Sequence, residues 1–344
     1  MSPVSLTSER VAGASVWPKI ELHVHLEATI RPRRLLELGR RNDVKLPAHT
    51  VGGLERFCRF SGFDRFIEVW VKTTGVLRHD GDFRQVVVDY AGELAAQGCR
   101  YAEPLFSPSE PVLRGVSWQE VFEGYCDGAQ EAREVQGVDL RFTPDITRNF
   151  PPEIGEQLAE WAVRYRDRGV AGISLGGSEH RFPPAPFARA FALAREGGLK
   201  AAPHAGETAG PASIRSALDD LHADRLRHGV RAVEDPALLR ELAERGIVCD
   251  VTPVSNLRTG VVRSLERHPL PAMLAAGVKC SIGSDDPVLM QTSLTEDAAV
   301  AVRLGHTPRG MYEHAVAGAF CDEPTRARLR SAGDAFDWEA VSVP

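Results

Sequence analysis

Two histidines one residue apart, His23 and His25 in the stretch LHVHLE, are the first residues of this sequence whose types and spacing could do chemistry. On a β-strand alternate side chains point to the same face, so the two imidazoles project together while their apolar neighbours point to the opposite face. Two imidazoles directed into one small space suit a metal site. A pair of hydrogen-bonded histidines near a strand end would have the same spacing, so this stretch alone leaves both interpretations open.

Further histidines and acids stand at the ends of later apolar runs. His204 closes the run KAAPH, and Glu207 comes three residues after it. His228 closes the run RLRH, and Asp285 and Asp286 follow CSIGS. Three imidazoles and one carboxylate suit Zn²⁺, which favours nitrogen ligands with some oxygen. Zinc lowers the pKa of bound water towards about 7, and hydrolysis then needs a group such as Glu207 to move the proton while His228 orients the water.

Each of these residues also has a plainer structural explanation. Glu207 could be a carboxylate at a helix N-terminus, where the helix dipole favours it. His228 could be a core histidine bonded to the backbone, and Asp286 could cap the segment that begins at Pro287. The remaining histidines fall in helical or loop patterns and are interpreted as surface or structural residues: His49, His79, His180, His222, His268, His306 and His314.

The elements that must position these side chains alternate along the chain. Short apolar runs, separated by amphipathic helical stretches, occur at about 19–26, 99–106, 139–146, 170–175, 199–203, 225–230, 247–252 and 278–283. Eight such runs predict an α/β fold, a (β/α)8 TIM barrel, with a doubly wound open sheet as the alternative. Active sites of barrels form at the C-terminal ends of the strands, where the polar residues fall. The long interval 27–98 predicts extra helices after the first strand, and others are expected at the C-terminus.

Composition and charge narrow the class of protein. The 344 residues, 43% hydrophobic and 26% charged, predict one soluble domain over 18–344 after a flexible lead at 1–17. The net charge of −6 gives no basic surface for nucleic acid, and no stretch reaches the roughly 20 apolar residues that span a bilayer. Six scattered cysteines without a CxxC pair are typical of reduced thiols, so we expect a cytoplasmic protein. The oligomeric state stays open.

The segments LHVHLE, PHAGE, RHG and SDDP, in this order, resemble the motifs of the adenosine deaminase family of metal-dependent amidohydrolases. The resemblance extends over about residues 18–320. It implies a (β/α)8 barrel that holds one zinc ion per chain. The ligands that it implies are His23, His25, His204 and Asp285.

The resemblance also implies a reaction. Glu207 would protonate N1 of a 6-aminopurine, and His228 with Asp285 would position and deprotonate the attacking water. Asp286 would bind purine N7, and the backbone N–H of Gly177, in SLGGSE, would bind N3. Attack of the activated water on C6 would release ammonia and leave a 6-oxopurine.

Departures from the family pattern affect the substrate. Where the nucleoside enzymes often have an Asp that contacts the ribose 5′-hydroxyl, this chain has Glu27, which we expect near the sugar end of the site. Adenosine or deoxyadenosine is the first expectation. A 5′-extended adenosine such as aminodeoxyfutalosine is the second, since LGGSE and PHAGETAGP resemble that bacterial branch, and free adenine is the third.

Three other interpretations are less favoured. An inactive relative could bind a nucleoside without turning it over, although such a protein would not need Glu207. An amidohydrolase with two metals bridged by a carboxylated lysine is disfavoured, because no lysine stands at the C-terminal end of a predicted strand. A deaminase acting on nucleic acid is disfavoured as well, because the HxE and PCxxC zinc signature is absent. The expected partner is therefore a small purine nucleoside, with neither nucleic acid nor membrane.

Overall fold

The computed structural model describes residues 17–60 and 63–342, so the expected flexible lead lies outside the described residues except for Trp17. The strands in this part of the chain are β1 Lys19–Glu21, β2 Cys99–Ala102, β3 Asp139–Leu140, β4 Asp145–Thr147, β5 Gly172–Gly176, β6 Lys200–Ala201, β7 His204–Ala205, β8 Arg225–His228, β9 Val248–Val251 and β10 Lys279–Ile282. Every strand pairing is parallel, as a barrel of βα units requires.

The strands occupy eight positions around a closed barrel, so the predicted (β/α)8 fold is confirmed. β3 and β4 share the third position and β6 and β7 share the fifth, each interrupted just before or at a proline. Pro144 and Pro203 have no N–H to donate, yet their carbonyl oxygens accept from Ser174 N at 2.9 Å and Arg227 N at 3.0 Å. A bridge between Val24 and Asp285 closes the eighth position onto the first.

Helices surround the barrel. The described helices are α1 Pro32–Arg41, α2 Val51–Phe57, α3 Phe63–Thr74, α4 Asp80–Ala96, α5 Ser109–Leu113, α6 Trp118–Val135, α7 Pro152–Arg164, α8 Ala188–Glu196, α9 Pro211–Asp219, α10 Pro236–Glu244, α11 Pro253–Arg258, α12 Leu270–Ala275, α13 Pro287–Met290, α14 Leu294–Arg303, α15 Pro308–Gly318 and α16 Glu323–Asp334. The first four fill the long interval after β1, and the last four follow β10, as expected. None of the described helices is long and apolar enough to cross a membrane.

The barrel interior contains a layer of buried charge beneath the strand ends. Arg225 is fully buried and contacts Glu103 and Asp250, each at 2.7 Å. Arg227, also fully buried, donates to the carbonyl oxygen of Leu22 and to the hydroxyl of Thr143. Removing one member of such a group would leave an uncompensated buried charge, which costs several kcal/mol. These contacts therefore link β8 to distant positions across the barrel interior, below the polar residues of the site.

The cysteines are free thiols, and five of the six are buried. The stretch FCRFSGFDRFIEVW at 57–70 is rich in aromatic residues. Phe57 and Phe60 pack against a small buried cluster that includes Cys58 and Val69. The side chains of Phe63 and Phe66 lie outside the described residues.

Candidate active site

Four side chains converge at the point where the barrel closes. Nε2 of His204 lies 3.3 Å from Nε2 of His23 and 3.3 Å from Nε2 of His25. Oδ1 of Asp285 lies 3.5 and 3.6 Å from the same atoms of His23 and His25. The backbone fixes this arrangement, because Asp285 N donates to His23 O and His25 N donates to Asp285 O, both at 2.8 Å.

The imidazoles of His23 and His204 are arranged as cation ligands. Nδ1 of His23 lies 2.9 Å from the carbonyl oxygen of Asp250, and Nδ1 of His204 lies 3.2 Å from that of Leu175. A carbonyl only accepts, so both rings carry their proton on Nδ1 and present a lone pair on Nε2. Two lone pairs facing each other at 3.3 Å repel unless a cation lies between them. The donor set therefore fits a metal ion.

Burial keeps these imidazoles neutral, as metal ligation requires. Desolvation, with smaller contributions from neighbouring cationic groups, lowers the pKa of His25 to about 3 and holds the pKa values of His23 and His204 well below the usual range. Burial raises the pKa of Asp285, so an ionised carboxylate there is unfavourable without a positive partner. A bound cation would supply that partner.

His228 faces the same space from the end of β8. One of its ring nitrogens lies within 4.8 Å of donor atoms of His23, His204 and Asp285. Its Nδ1 lies 3.2 Å from Thr252 Oγ1 and 3.2 Å from the side-chain amide nitrogen of Asn256. This leaves Nε2 of His228 facing the cavity and its acids.

Glu207 stands opposite His228 in the loop between β7 and α9. Its Oε2 lies 3.7 Å from His228 Nε2, and 15% of its side chain is exposed. Burial and the nearby charge of Glu179 raise the pKa of Glu207 to about 8, while Arg148 opposes the shift. At neutral pH the group is therefore mostly protonated and able to donate a proton.

These residues open into a cavity of about 600 Å³. Its inner part is lined by residues of the predicted site, namely His25, Gly177, His204, Glu207, His228, Asp285 and Asp286. Trp70, Val71, Phe150 and Arg181 line it as well, and the ring of Trp70 meets the ring of His25 edge-on at 5.6 Å between centroids. A concave site of this size with a few polar groups is typical of a small-molecule site.

The structure brings the predicted metal and catalytic residues together, and Gly177 and Asp286 also border the cavity. Glu27 differs, since it lies in a 3₁₀ turn beside the cavity and is not among the described residues that line it. Its Oε1 accepts from Ser107 N at 2.8 Å and from the hydroxyl of Tyr125 at 3.0 Å. Ser107 does line the cavity, so Glu27 borders the site through it.

Several residues of the site were missed by sequence reasoning. Asp145 and Glu110 line the cavity, and His180 does too, although the sequence indicated a surface or structural residue. Asp145 stands at the end of the third apolar run, so the strand-end rule that found Asp285 would also have found it. Glu110 and His180 lie in segments after strands, where sequence spacing gives no such signal.

The sequence pattern of the family described as adenosine deaminase matches residues 18–335. The chain belongs to the adenosine deaminase family. An aminodeoxyfutalosine deaminase from Acidothermus cellulolyticus is 46% identical over 333 residues, covering 95% of this chain and 94% of that protein. An adenine deaminase from Arthrobacter aurescens has a similar solved structure, with a TM-score of 0.87 and 28% identity, covering 92% of this chain and 98% of that one.

A second solved structure, an amidohydrolase from Burkholderia ambifaria with bound zinc, has a TM-score of 0.84 and 28% identity, covering 93% of this chain and 90% of that one. The family resemblance that the motifs indicated is thus confirmed, and this member of the family is a hydrolytic deaminase.

Proposed function

We propose that this deaminase is zinc-dependent and removes the 6-amino group of a purine that carries an extended substituent on N9, with aminodeoxyfutalosine as the first candidate. The observation that carries the proposal is the position of Glu207 and His228 beside three converging imidazoles and Asp285, on the wall of one cavity. Adenosine, deoxyadenosine and adenine are the competing substrates.

Zinc is the ion that the donor set suits best. Atoms that each lie about 2.0–2.1 Å from one zinc ion are no more than about 4.2 Å apart. The Nε2 atoms of His23 and His25 lie 3.3 Å from that of His204, and carboxylate Oδ1 lies at 3.5 and 3.6 Å. When bound, the ion supplies a water molecule acidified towards neutral pH.

The chain's own residues then move the protons. Glu207 gives its proton to purine N1, which draws electrons from C6 and makes that carbon electrophilic. His228 orients the water and accepts one of its protons, and the water oxygen bonds to C6. His228 passes that proton to the amino group, the C6–N bond breaks, and ammonia leaves. The hydroxyl proton that remains on the oxygen returns to the Glu207 carboxylate as the 6-oxopurine forms.

Two further groups recognise the purine. N7 is an acceptor, so Asp286 contacts it in its acid form, a state that burial and the neighbouring Asp285 favour by raising the pKa of Asp286. The N–H of Gly177 donates to N3. Gly177 has φ +95°, and a Cβ there would lie 2.4 Å from Asn149 Oδ1, so glycine allows the backbone to approach the base.

Two observations favour an extended substrate over adenosine, the first expectation from sequence. The relative named as an aminodeoxyfutalosine deaminase shares 46% of its residues with this chain. In addition, a cavity of about 600 Å³ has space beyond a purine base, and Phe150 and Trp70 contribute aromatic surface to its lining. An extended N9 substituent would fill that space.

A substrate panel tests the proposal. The loss of 6-aminopurine absorbance is followed with adenine, adenosine, deoxyadenosine and aminodeoxyfutalosine, and bound metal is measured in the same preparation. We expect about one zinc per chain and the highest kcat/KM with aminodeoxyfutalosine. A higher kcat/KM with adenine would overturn the substrate but not the reaction, and no turnover despite bound zinc would overturn the reaction.

A pair of variants makes the test sharper. Phe150→Ala should lower kcat/KM for the extended substrate more than for adenine, because Phe150 lines the cavity. Phe182→Ala is the matched control, since that ring is 38% exposed and lies outside the described lining of the cavity. Equal losses with both substrates would argue against an extended substituent near Phe150.

A further inference from the structure

The carboxylate of Glu179 is buried and binds one short loop. Its Oε2 accepts from the backbone N–H groups of Glu207, Thr208 and Ala209, at 3.0, 2.7 and 2.9 Å. Its Oε1 accepts at 2.6 Å from Gly206 N and at 2.6 Å from the hydroxyl of Ser213. Glu179 is 3% exposed, so all five donors reach a carboxylate that has almost no contact with water.

The loop at 206–209 links β7 to α9, and it carries the catalytic acid three residues after a metal ligand. Four successive N–H groups converge on one anion, as in the anion-binding concavities that turns form. Gly206 makes the turn possible, since its φ is +74° and a Cβ would lie 2.4 Å from Ile214 Cδ1. The loop conformation therefore depends on both glycine and the Glu179 carboxylate.

The segment that carries Glu179 is also fixed. Glu179 follows β5, and Arg148 donates to the carbonyl oxygens of Leu175, Gly176 and His204 at 3.0, 3.2 and 2.7 Å. Asn149 Oδ1 accepts from Ser178 N at 3.0 Å. These hydrogen bonds fix the end of β5, after which Glu179 follows, and they link it to β7, the strand that holds His204.

Glu179 does not line the cavity among the described residues, so it cannot act on the substrate directly. It can act through Glu207, because it binds the N–H of that residue and the N–H groups on both sides of it. Its negative charge also supports the protonated form of Glu207. A displacement of about 1 Å in a reacting group can cost about 100-fold in rate.

We propose that Glu179 is a positioning residue that sets the orientation of the acid Glu207 through four hydrogen bonds to the loop at 206–209 and a fifth to Ser213 in α9. The proposal rests on the proposed function of Glu207. It predicts that loss of the carboxylate lowers turnover while the metal ligands and the substrate cavity stay in place.

Glu179→Gln is the principal test. The amide turns one oxygen into an NH₂ group that faces N–H donors, so the Gly206 bond is lost if it replaces Oε1 and three bonds are lost if it replaces Oε2. We expect kcat to fall about 100-fold, with KM within about threefold of wild type and metal content unchanged. Glu179→Asp, which keeps the charge but is shorter, should recover part of kcat.

Glu234→Gln is the matched control. Glu234 lies beside the same loop, pairs with Arg231 at 2.7 Å and is partly exposed. Arg231 in turn donates to Thr208 O at 3.0 Å. This change removes a carboxylate near the loop without touching its N–H groups, so kcat should stay within about twofold of wild type.

A double-variant cycle separates positioning from general stability. If Glu179 acts through Glu207, Glu179→Gln should cost little further turnover in a Glu207→Gln background. Additive losses, or a folded and metalated Glu179→Gln with wild-type kcat, would overturn the proposal. If Glu179→Gln does not fold, Glu179→Asp decides, since unchanged kcat in that folded variant has the same meaning. An inactive wild type would instead contradict the proposed function.

Discussion

Glu207→Gln is the sharpest test of the catalytic assignment. Gln has nearly the shape of Glu, and the backbone N–H of residue 207 would keep its 3.0 Å bond to Glu179. The change therefore removes a proton donor with little change in position. General acid catalysis contributes about 10²–10⁴-fold, which is about 2.7–5.4 kcal/mol at about 1.36 kcal/mol per tenfold change. We expect kcat to fall by that factor.

The assay measures kcat, KM and bound zinc together. None of the proposed metal ligands is altered, so zinc content should equal that of wild type, and the Glu234→Gln control should keep its turnover. A fully metalated Glu207→Gln with kcat within tenfold of wild type would refute the role of Glu207 as the acid.

The pH profile gives an independent check on the same residue. Burial, with help from Glu179, raises the pKa of Glu207 to about 8. An acid catalyst works in its protonated form, so kcat/KM, which reports the free enzyme, is retained below that pH and falls as the pH rises through about 8. The decline should be absent from the residual activity of Glu207→Gln. A wild-type kcat/KM that stays level well above pH 8 would contradict the assignment.

Three other changes give distinct results. Asp285→Ala should weaken zinc binding by at least about 100-fold and abolish turnover. Zinc binding is measured as the metal content after dialysis. An unchanged metal content would remove Asp285 from the ligand set. Glu27→Asp should withdraw the carboxylate from Ser107 N and the Tyr125 hydroxyl, which lie at 2.8 and 3.0 Å in the wild type. The ratio of kcat/KM values across the substrate panel should therefore change. An unchanged ratio would mean that Glu27 has no part in substrate recognition. Gly177→Ala should cost about 1–2 kcal/mol of unfolding free energy, since φ is +95° and Cβ would approach Asn149, and calorimetry showing no loss would contradict that strain.

The fold could be predicted from the sequence because each strand and helix of the barrel has its own local hydrophobic pattern. Apolar runs and amphipathic stretches alternate eight times, and strand-end placement led to His204 and Asp285 without any knowledge of contacts. The pattern could not predict where strands break. The third and fifth positions are interrupted at Pro144 and Pro203, which remove ladder donors inside otherwise apolar runs.

Side-chain partners of the site were less predictable, because they depend on contacts between distant segments. Glu179 lies 27 residues from Gly206, and nothing in SLGGSE indicates a carboxylate that binds a later loop. Glu27 is a different case. Its position in the motif indicated a substrate contact, and in the fold its carboxylate is bonded to Ser107 and Tyr125 beside the cavity. Its part in substrate recognition stays a prediction.

Two residues that follow or end strands at the site have a strained backbone. His228 has φ 61° and Asp285 has φ 55°, although neither is glycine. The left-handed conformation costs about 1–2 kcal/mol for such residues, so other contacts must hold it. Asp285 is fixed by its backbone hydrogen bonds to His23 and His25. His228 is fixed by two side chains within hydrogen-bond distance of its Nδ1. Both turns redirect a side chain that would otherwise follow the strand, and both deliver it to the space beside His204. The barrel therefore maintains strain at two residues that the proposed function places beside the metal and the substrate, where a geometric role, rather than stability, explains their conformation.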